Sequence, residues 1–369
     1  MESRGVRIDT NLCNRMSAIG EISMSDSVEI LGLNPGSPID QRKLFLDILK
    51  LPILKTSKKT GNPSFDRTVM EEYDRLLEGK NDPTAELVLT YRGWQKSVSS
   101  NYKPYVELLS LDGRLRPHYK MHGTKTGRLS CEKPALQQIP KVSTKPWNGS
   151  MKKAFIPEEG YTLIEFDYSQ LELRLAAAYG NQTNLKEAFQ AGRDVFSEMS
   201  AALGISRFDC KTLTYSILFG AGAPRISTVF NMTMDDALAL KNNWFKEYEG
   251  IAKVVRLATN KGKHKGKLQL WSGRYRHLQY PDSEAHKSFN AVIQGGASDI
   301  VADMMVRLFN EIDDNDKARM LLQVHDSIVW ELRNDVVDEY TKRISDMMVD
   351  IKPDFDIQWA VDAHIWGEG

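Results

Sequence analysis

The alternation of apolar and polar residues predicts a few strands among many helices. Residues 161–167 (YTLIEFD) form a short apolar run with two β-branched members, which is typical of a buried strand. Residues 169–180 (SQLELRLAAAYG) follow at helical spacing. Residues 321–332 (LLQVHDSIVWEL) contain two apolar runs interrupted by His325 and Asp326, which predicts a strand, a turn and a second strand.

Helical spacing dominates the rest of the chain. About the first 100 residues are predicted to be mostly helical and polar, 183–260 largely helical, and 288–312 one long helix. A further helix is expected over 335–350 and a closing strand over 355–364 (FDIQWAVDAH). This order predicts an α+β fold, with the two long helical stretches as candidate separate lobes.

The composition is that of an ordinary globular protein. Of 369 residues, 41% are apolar and 27% are charged. Three cysteines lie far apart without C-x-x-C spacing, which argues against a disulfide framework or a zinc ribbon and fits a reducing compartment. No apolar stretch approaches the roughly 18–20 residues of a membrane span, and no signal-peptide pattern opens the chain. We therefore expect a soluble intracellular protein.

The net charge of zero conceals an uneven distribution. Residues 111–155 hold ten Lys or Arg against two acids, 331–369 hold ten acids against four bases, and 261–267 read KGKHKGK. Each basic cluster has two equally good interpretations: a solvated face, or a surface that attracts a polyanion. Such attraction acts over a Debye length of roughly 8–10 Å.

Two aspartates carry the first candidate chemistry. Asp167 ends the predicted strand and Asp326 lies in the predicted turn, so the two carboxylates converge if their strands are neighbours. Either a raised pKa on one of them or a bound cation would relieve the repulsion. Mg²⁺ is usually held by one or two carboxylates plus substrate phosphates, and paired ions stabilise phosphoryl transfer. Taken alone, an Asp at a strand end is more often a turn former.

A stripe on the predicted helix 207–220 adds a second signal. Arg207, Lys211, Tyr215 and Phe219 recur every four residues and therefore share one face. Cations at one end suit phosphates, and aromatic rings at the other suit a nucleobase. An ordinary amphipathic helix is the alternative.

Six segments together resemble, in order, the motifs of family A DNA polymerases, the family of bacterial DNA polymerase I and several bacteriophage replicases. They are MESRGVRID at the start, TKTGRLSCEKPALQQIP (124–140), DYSQLELR (167–174), RFDCKTLTYSILFG (207–220), FNAVIQGGASD (289–299) and VHDS (324–327). The resemblance implies a right-hand architecture with an antiparallel palm sheet and helical fingers. Its parts would be a thumb at 1–110, a palm at 111–180 and 280–369, and fingers at 181–279.

The resemblance also implies roles for single residues. Asp167 and Asp326 would bind two Mg²⁺ ions, which Mn²⁺ could replace, with help from the Tyr168 carbonyl. The nucleotide would be bound by residues of the fingers helix and the first metal motif: Arg207, Lys211, Tyr215, Phe219, Glu172 and Gln170. Lys211 would also be catalytic, and Glu172 would exclude a ribose 2′-OH. The primer–template would contact Arg128, Gln137, Arg174, Asn290, Gln294 and His325.

The implied activity is DNA-templated DNA polymerisation, in which a primer 3′-OH attacks the α-phosphate of a deoxynucleotide. Its partners would be primer–template DNA and dNTPs, with a processivity factor or a separate exonuclease as further partners and no membrane. The expected location is the cytoplasm of a bacterial cell or of an infected host cell.

Two other functions compete with this one. A polymerase-like scaffold that binds primer–template without catalysis would show substitutions at the two aspartates or at Lys211 and Arg207, and all four are present. A single-subunit RNA polymerase is disfavoured by Glu172 as a sugar gate. Reverse transcription stays open as a side activity.

Four positions depart from the family pattern. Ser327 stands where the family usually has Glu, which predicts altered metal tuning. Phe219 stands where many members have Tyr, which puts fidelity in doubt. Tyr215 replaces a common Phe, and such a Tyr predicts ready use of dideoxynucleotides. His286 stands where an Arg often contacts DNA, which predicts one weaker contact.

The chain starts at the thumb-like segment, and no upstream set of acidic residues could form a 3′→5′ exonuclease. We therefore expect no proofreading by this chain, and a short thumb predicts low processivity. A fragment of a longer protein and a minimal viral enzyme are both open.

Overall fold

Helices and antiparallel strands make up the computed structural model, which describes residues 1–57, 59–140, 144–149, 151–351 and 353–368. The helices are α1 (Thr10–Leu31), α2 (Pro38–Arg42), α3 (Arg67–Glu78), α4 (Thr84–Ser97), α5 (Lys103–Glu107), α6 (Leu171–Tyr179), α7 (Thr183–Gln190), α8 (Val195–Leu203), α9 (Arg207–Leu218), α10 (Ala223–Phe230), α11 (Met234–Glu247), α12 (Glu249–Lys265), α13 (Pro281–Glu284), α14 (Ser288–Glu311) and α15 (Val337–Val349). The strands are β1 (Val6–Ile8), β2 (Arg114–Leu115), β3 (His118–Lys120), β4 (Ser130–Glu132), β5 (Phe155–Ile156), β6 (Tyr161–Tyr168), β7 (Lys267–Gln269), β8 (Tyr275–His277), β9 (Ala318–Val324), β10 (Ser327–Arg333) and β11 (Val361–Ile365). Lys43–Ile48 and Val98–Tyr102 are π-helical, and short 3₁₀ turns occur at Leu136–Gln138, Lys152–Ala154, Ala285–Lys287 and Asn334–Val336. The predicted α+β class is confirmed.

The chain divides into two compact units. The larger unit comprises Tyr119–Cys131 and Glu158–Trp366, and the smaller unit comprises Glu2–His118 and Glu132–Pro157. The expected division into thumb, palm and fingers is finer than this one and stays a prediction.

In the larger unit, a four-stranded antiparallel sheet has the strand order β11-β6-β10-β9. Because side chains alternate between the faces of a strand, Phe166, Ile328 and Trp330 share one face. That face belongs to a buried hydrophobic core to which α14 and α15 also contribute. Glu165 and Asp167 lie on the other face. The predicted strand at 161–167 and the predicted hairpin at 321–332 are both confirmed.

The long helices form where apolar residues recur at helical spacing, and four of them (α1, α3, α9 and α11) also begin after a residue whose side chain caps the first turn. α9 begins after Ser206, whose hydroxyl accepts a hydrogen bond from the backbone N–H of Asp209. α14 covers all but the last residue of its predicted range, and helices over 183–260 and near 335–350 are confirmed. None of the described helices combines the length and the apolar character needed to cross a lipid bilayer.

The C-terminal strand is shorter than predicted and begins at Val361 rather than at residue 355. The earlier apolar residues pack elsewhere: the Phe355 ring lies 5.9 Å from Trp359 and 5.6 Å from Trp271, both edge-on. The pattern at 355–360 therefore reflects an aromatic cluster and not a sheet. The β7–β8 hairpin was not predicted either, because three-residue strands are too short to show an alternation.

The smaller unit has its own sheet and its own core. β1 pairs with both β2 and β5 in antiparallel fashion. The rings of Phe45 and Tyr73 stack at 5.1 Å between their centroids, inside a cluster formed largely by the segment from Lys43 to α4. Gly20 of α1 lies so close to Val98 that a Cβ there would be 2.6 Å from the Val98 Cγ2. Close helix packing therefore stabilises this unit.

Gly250 generates a stability prediction for the larger unit. A Cβ at Gly250 in α12 would lie 2.0 Å from the carbonyl oxygen of Gly180, the residue after α6. We expect Gly250→Ala to lower the free energy of unfolding by about 2–3 kcal/mol, since rigid backbone must move. Gly79→Ala is the control, because a Cβ there meets nothing within 4 Å and its φ of −65° suits alanine. Urea denaturation that gives the two variants equal stability would contradict the prediction.

Candidate active site

The two predicted carboxylates lie on neighbouring strands. Asp167 is the second-last residue of β6 and pairs with Ser327, the first residue of β10. Asp326 is the residue immediately before Ser327. The expectation that these two strands are neighbours is therefore confirmed, although they are about 160 residues apart in sequence.

Asp326 sits in a tight, strained turn. Val324 and Ser327 are paired across the hairpin, so that only His325 and Asp326 form the connection. His325 has φ +56°, in the left-handed region that costs a non-glycine residue on the order of 1 kcal/mol. The side-chain amide of Gln323 donates a hydrogen bond to the His325 carbonyl, which holds the turn in place.

Arg128 joins the second aspartate to a buried glutamate. Its Nη2 donates to Glu172 Oε1 at 2.6 Å and to Asp326 Oδ1 at 3.0 Å. Burial raises the pKa of Glu172, repulsion from Asp326 raises it further, and Arg128 opposes both effects. The site therefore gathers negative charge around one guanidinium.

The cationic half of the stripe on α9 is exposed. Arg207 is the first residue of the helix and its Nε lies 2.5 Å from Asp194 Oδ2. The hydrogen bond from Arg207 lowers the pKa of Asp194 to about 2. Lys211, one turn later, is exposed with its Nζ 5.8 Å from the centroid of the Phe196 ring. An anionic ligand can reach both cations from solvent, though Arg207 must exchange its carboxylate partner.

The aromatic half of the stripe lies beside the carboxylates. Tyr215 is half-buried, and its ring centroid is 5.8 Å from that of Phe219, the residue that ends the helix. Burial, and after it the charges of Glu172, Asp326 and Asp167, raise the pKa of the Tyr215 phenol. The phenol therefore stays protonated and can donate a hydrogen bond at the carboxylate end of the stripe.

Three candidate residues have buried polar atoms without a hydrogen-bond partner among the described residues: Arg128 Nε, Gln170 Oε1 and Asn290 Oδ1. An unsatisfied buried polar group costs about 1–3 kcal/mol, and native structures contain few of them. All three belong to the set assigned to nucleotide or DNA, and the other two such atoms among the described residues are Ser288 Oγ and Trp330 Nε1. Three of these five atoms thus belong to residues for which a polar ligand is expected.

The remaining candidates are placed as follows. Gln294 lies one turn after Asn290 on α14, and His325 is exposed in its turn. Gln137 belongs to the smaller unit, in the 3₁₀ turn Leu136–Gln138. Tyr168 is buried, and its hydroxyl donates to the Met348 carbonyl at 2.9 Å.

Arg174 is more enclosed than a simple DNA contact requires. Its guanidinium donates to the carbonyls of Ser169 and Gln358 and lies 4.1 Å from the ring of Phe189. Burial lowers its pKa to about 10, and Asp362 opposes that shift. Arg174 thus supports the Ser169 turn from within the protein, and its contact with DNA stays a prediction.

A buried polar group next to Asp167 was missed from the sequence. Glu165 is 7% exposed; its carboxylate accepts from the Ser327 hydroxyl at 2.9 Å and meets His364 Nε2 at 3.1 Å. It therefore links β6 to both neighbouring strands below the candidate site. A usable signal was present, because Glu165 interrupts an apolar run two residues before Asp167 and so shares its face.

The donor set suits a hard divalent cation. Asp167 on β6 and Asp326 in the turn before the adjacent strand β10 supply oxygen ligands, and the guanidinium of Arg128 already provides positive charge at Asp326. In the described ranges no group of three or more His, Cys, Asp or Glu side chains forms a complete metal site. Mg²⁺ needs only one or two carboxylates when waters and substrate phosphates complete its shell, so these residues fit it.

Arg128 gives a prediction about this charge balance. Arg128→Ala leaves Asp326 and Glu172 without their shared cation, and we expect the free energy of unfolding to fall by about 1–3 kcal/mol in EDTA. Mg²⁺ should then raise the melting temperature of this variant more than that of the unmodified protein, because cation binding relieves the same repulsion. Differential scanning calorimetry with and without Mg²⁺ measures both effects.

Arg193→Ala serves as the control for Arg128→Ala. It removes an exposed pair with Glu198, which is worth less than about 1 kcal/mol and involves no candidate ligand. Equal Mg²⁺ shifts in all three proteins would reject the cation-binding interpretation.

Comparison with known families identifies one match. The sequence model of DNA polymerase family A matches residues 8–368. The thermostable DNA polymerase I of Thermus aquaticus is 31% identical over 379 residues, which cover 96% of this chain and 44% of that protein. DNA polymerase I of Helicobacter pylori is 27% identical over 370 residues, covering 95% of this chain and 40% of that protein. The chain thus spans less than half the length of these relatives.

A solved structure shares the fold. The polymerase domain of Pol1 from M. smegmatis, determined in complex with DNA primer-template and dNTP, superposes with a TM-score of 0.87 at 23% identity. The match covers 99% of this chain and 67% of that one. The right-hand polymerase fold is thereby confirmed.

Proposed function

Because the chain belongs to DNA polymerase family A, we propose that it is a DNA-directed DNA polymerase, which extends a primer 3′-OH with deoxynucleotides on a DNA template. The observation that carries the proposal is the pairing of Asp167 with Ser327, which brings two carboxylates together beside the α9 stripe. The alternative is a scaffold that binds primer–template without catalysis. The presence of both aspartates and of Arg207 and Lys211 disfavours that alternative.

Asp167 and Asp326 would hold two Mg²⁺ ions, together with the Tyr168 carbonyl. When bound, these ions supply Lewis-acid chemistry, activating the 3′-OH and neutralising charge on the phosphates. Arg128 would then give up Asp326 while keeping Glu172, its closer partner at 2.6 Å. The strained turn at His325 fixes Asp326 before any ligand arrives, so little reorganisation accompanies binding.

Arg207 and Lys211 would bind the triphosphate of the incoming nucleotide. Both are exposed on one face of α9, and Lys211 carries no carboxylate partner in the described part of the chain. Arg207 exchanges Asp194 for phosphate, which costs little because that pair is exposed. Lys211 would neutralise the leaving pyrophosphate as the bond to the α-phosphate breaks.

Tyr215 and Phe219 would receive the base and sugar. Their ring centroids are 5.8 Å apart with the ring planes tilted by 40°, and the two rings present an aromatic surface beside the carboxylates. Glu172 is held rigidly by Arg128 and would exclude a ribose 2′-OH by occupying its place. Gln170 and Asn290, with their unpartnered buried oxygens, would accept hydrogen bonds from nucleotide and template.

The duplex would be contacted by Arg128, Gln137, Arg174, Asn290, Gln294 and His325, with sequence read by base pairing and not by these side chains. The proposed parts of the hand are the thumb (1–110), the palm (111–180 and 280–369) and the fingers (181–279). For residues 8–368, which the family model matches, the proposed activity is polymerisation without proofreading. The proposed location is the cytoplasm of a bacterial cell or of an infected host cell.

Primer extension tests the proposal directly. With Mg²⁺ or Mn²⁺ and dNTPs we expect extension of a primed DNA template, and we expect Asp326→Ala to reduce its rate by at least about a hundredfold. Asp362→Ala is the matched control, because Asp362 lies opposite Asp167 on β11 but is not an assigned metal ligand; it should keep most of the activity. An unmodified chain that binds primer–template yet never extends it would favour the scaffold.

Tyr215 predicts the response to chain terminators. Its hydroxyl can replace the hydrogen bond that a missing nucleotide 3′-OH would make, so the protein should incorporate ddTTP readily. Tyr215→Phe should lower the ratio of ddTTP to dTTP incorporation by about 10–100-fold, the worth of one hydrogen bond to a charged group. Phe219→Tyr adds a hydroxyl elsewhere on the stripe and should leave the ratio unchanged. Strong discrimination that is the same in Tyr215→Phe would reject this role.

A further inference from the structure

The larger unit carries a second, purely basic segment that the proposed active site does not use. Residues 250–281 contain eight Lys or Arg and not one Asp or Glu, in a chain with 49 of each sign. The segment comprises most of α12 together with the β7–β8 hairpin. Arg274 pairs with Asp299 at 2.8 Å, so the spatial neighbours of the remaining cations decide whether their charge is left over.

The lysines at the end of α12 are not neutralised by neighbours. Lys261, Lys263, Lys265 and Lys267 are exposed, and none forms an ion pair with a carboxylate in the part of the chain that the structure describes. Exposed cations elsewhere in this unit do pair, as Lys342 does with Asp346 at 2.5 Å. A helix C-terminus favours cations, but that accounts only for the last turn and not for Lys261 or Lys267.

An open apolar groove lies beside these lysines. It has a volume of about 390 Å³, and its lining includes Val254, Leu257, Leu270 and Trp271, with Lys261 among them. Leu257 is 68% exposed, so the apolar lining of the groove is accessible from solvent. The Trp271 indole is fixed in place, because its N–H donates to the Gly296 carbonyl at 2.9 Å.

The hairpin adds an aromatic ring to the same surface. Tyr275 on β8 is 48% exposed and pairs with Gln269 on β7. The Nζ of Lys267 lies 4.9 Å from the centroid of its ring. Exposed aromatic rings next to unpaired lysines are the combination that binds unpaired nucleotides, since bases stack on the rings and phosphates meet the lysines.

The groove is distinct from the proposed duplex contacts. Val292 of α14 lines it, whereas Asn290 and Gln294 lie on the opposite side of that helix, about 160–200° away at 100° per residue. A duplex keeps its bases stacked inside and could use neither the groove nor Tyr275.

We propose that the surface formed by Lys261, Lys263, Lys265, Lys267, Trp271 and Tyr275 binds single-stranded nucleic acid outside the catalytic site. Bases enter the apolar groove and stack on Tyr275, and the lysines contact the backbone. The inference rests on the proposed function only for the source of the strand, which would be the unpaired template or the displaced strand.

Fluorescence anisotropy with a labelled dT20 oligonucleotide tests the lysines. Replacing Lys261, Lys263, Lys265 and Lys267 together by Gln should weaken binding at least about tenfold and reduce the salt slope by about 0.7 for each phosphate that is no longer neutralised. The control replaces Arg193, Arg333, Lys342 and Arg343 by Gln, which removes the same charge from the same unit. Equal reductions in affinity in the two quadruple variants would overturn the proposal.

A second comparison tests base stacking. The unmodified protein should bind dT20 more tightly than an abasic oligonucleotide of the same length. Tyr275→Ala should reduce the ratio of these two affinities about tenfold. Tyr280→Ala, at a tyrosine nearby that is more exposed (62%), should leave that ratio unchanged. If abasic and dT20 strands bind alike, or if polyglutamate displaces dT20 at equal charge, the surface attracts polyanions in general and the proposal falls.

Photo-cross-linking identifies the source of the strand. Iodouracil placed in the template overhang, or in a displaced strand, should attach to peptides within 261–277; attachment from neither position would overturn the proposal. Binding of dT20 and extension of a primer are measured in separate assays. Failure of primer extension would therefore remove the proposed activity without deciding these binding results, and the reverse also holds.

Discussion

The arrangement of the candidate site depends on the repulsion between carboxylates that the central sheet brings together. Asp167 lies on β6, Asp326 lies in the turn before the adjacent strand β10, and Glu172 joins them from the first turn of α6. Among the described residues, the guanidinium of Arg128 pairs with both Asp326 and Glu172 and so offsets part of this repulsion. The buried side-chain oxygens of Gln170 and Asn290 lack hydrogen-bond partners in the described part of the chain. The candidate site therefore combines concentrated negative charge with unused hydrogen-bonding capacity.

The two faces of the central sheet have different roles. One face carries Phe166, Ile328 and Trp330 and is buried, so the register of β6 against β10 is strongly determined. The other face carries the acidic residues, which can be placed accurately only because the buried face cannot slip. Glu165 strengthens this arrangement from the polar side, since it contacts both neighbouring strands.

Local sequence patterns predicted the helices and strands, but they did not predict which residues contact each other in the folded chain. β6 and the hairpin at His325 were predictable, because apolar alternation is a property of the strand itself. The meeting of Arg128 with Asp326 was not, because no local pattern relates residues about 200 positions apart. The pattern at Phe355 and Trp359 gave a wrong strand prediction, because an aromatic cluster and a buried strand both require closely spaced apolar residues. The family motifs supplied candidate residues, but only the structure shows that the Arg174 side chain is buried and that Glu165 forms contacts with Ser327 and His364.

The central sheet is also discontinuous in sequence, because β6 receives its partners β10 and β11 only after α6–α14 have been made. During synthesis on the ribosome, both edges of β6 therefore lack their final neighbours while about 160 further residues emerge. Such long-range pairing is slow and leaves strand edges open to wrong partners. A nascent chain that already displays α9 consequently holds only Asp167 of the acidic pair, and a ribosome stalled before β10 would release a product unable to complete the sheet.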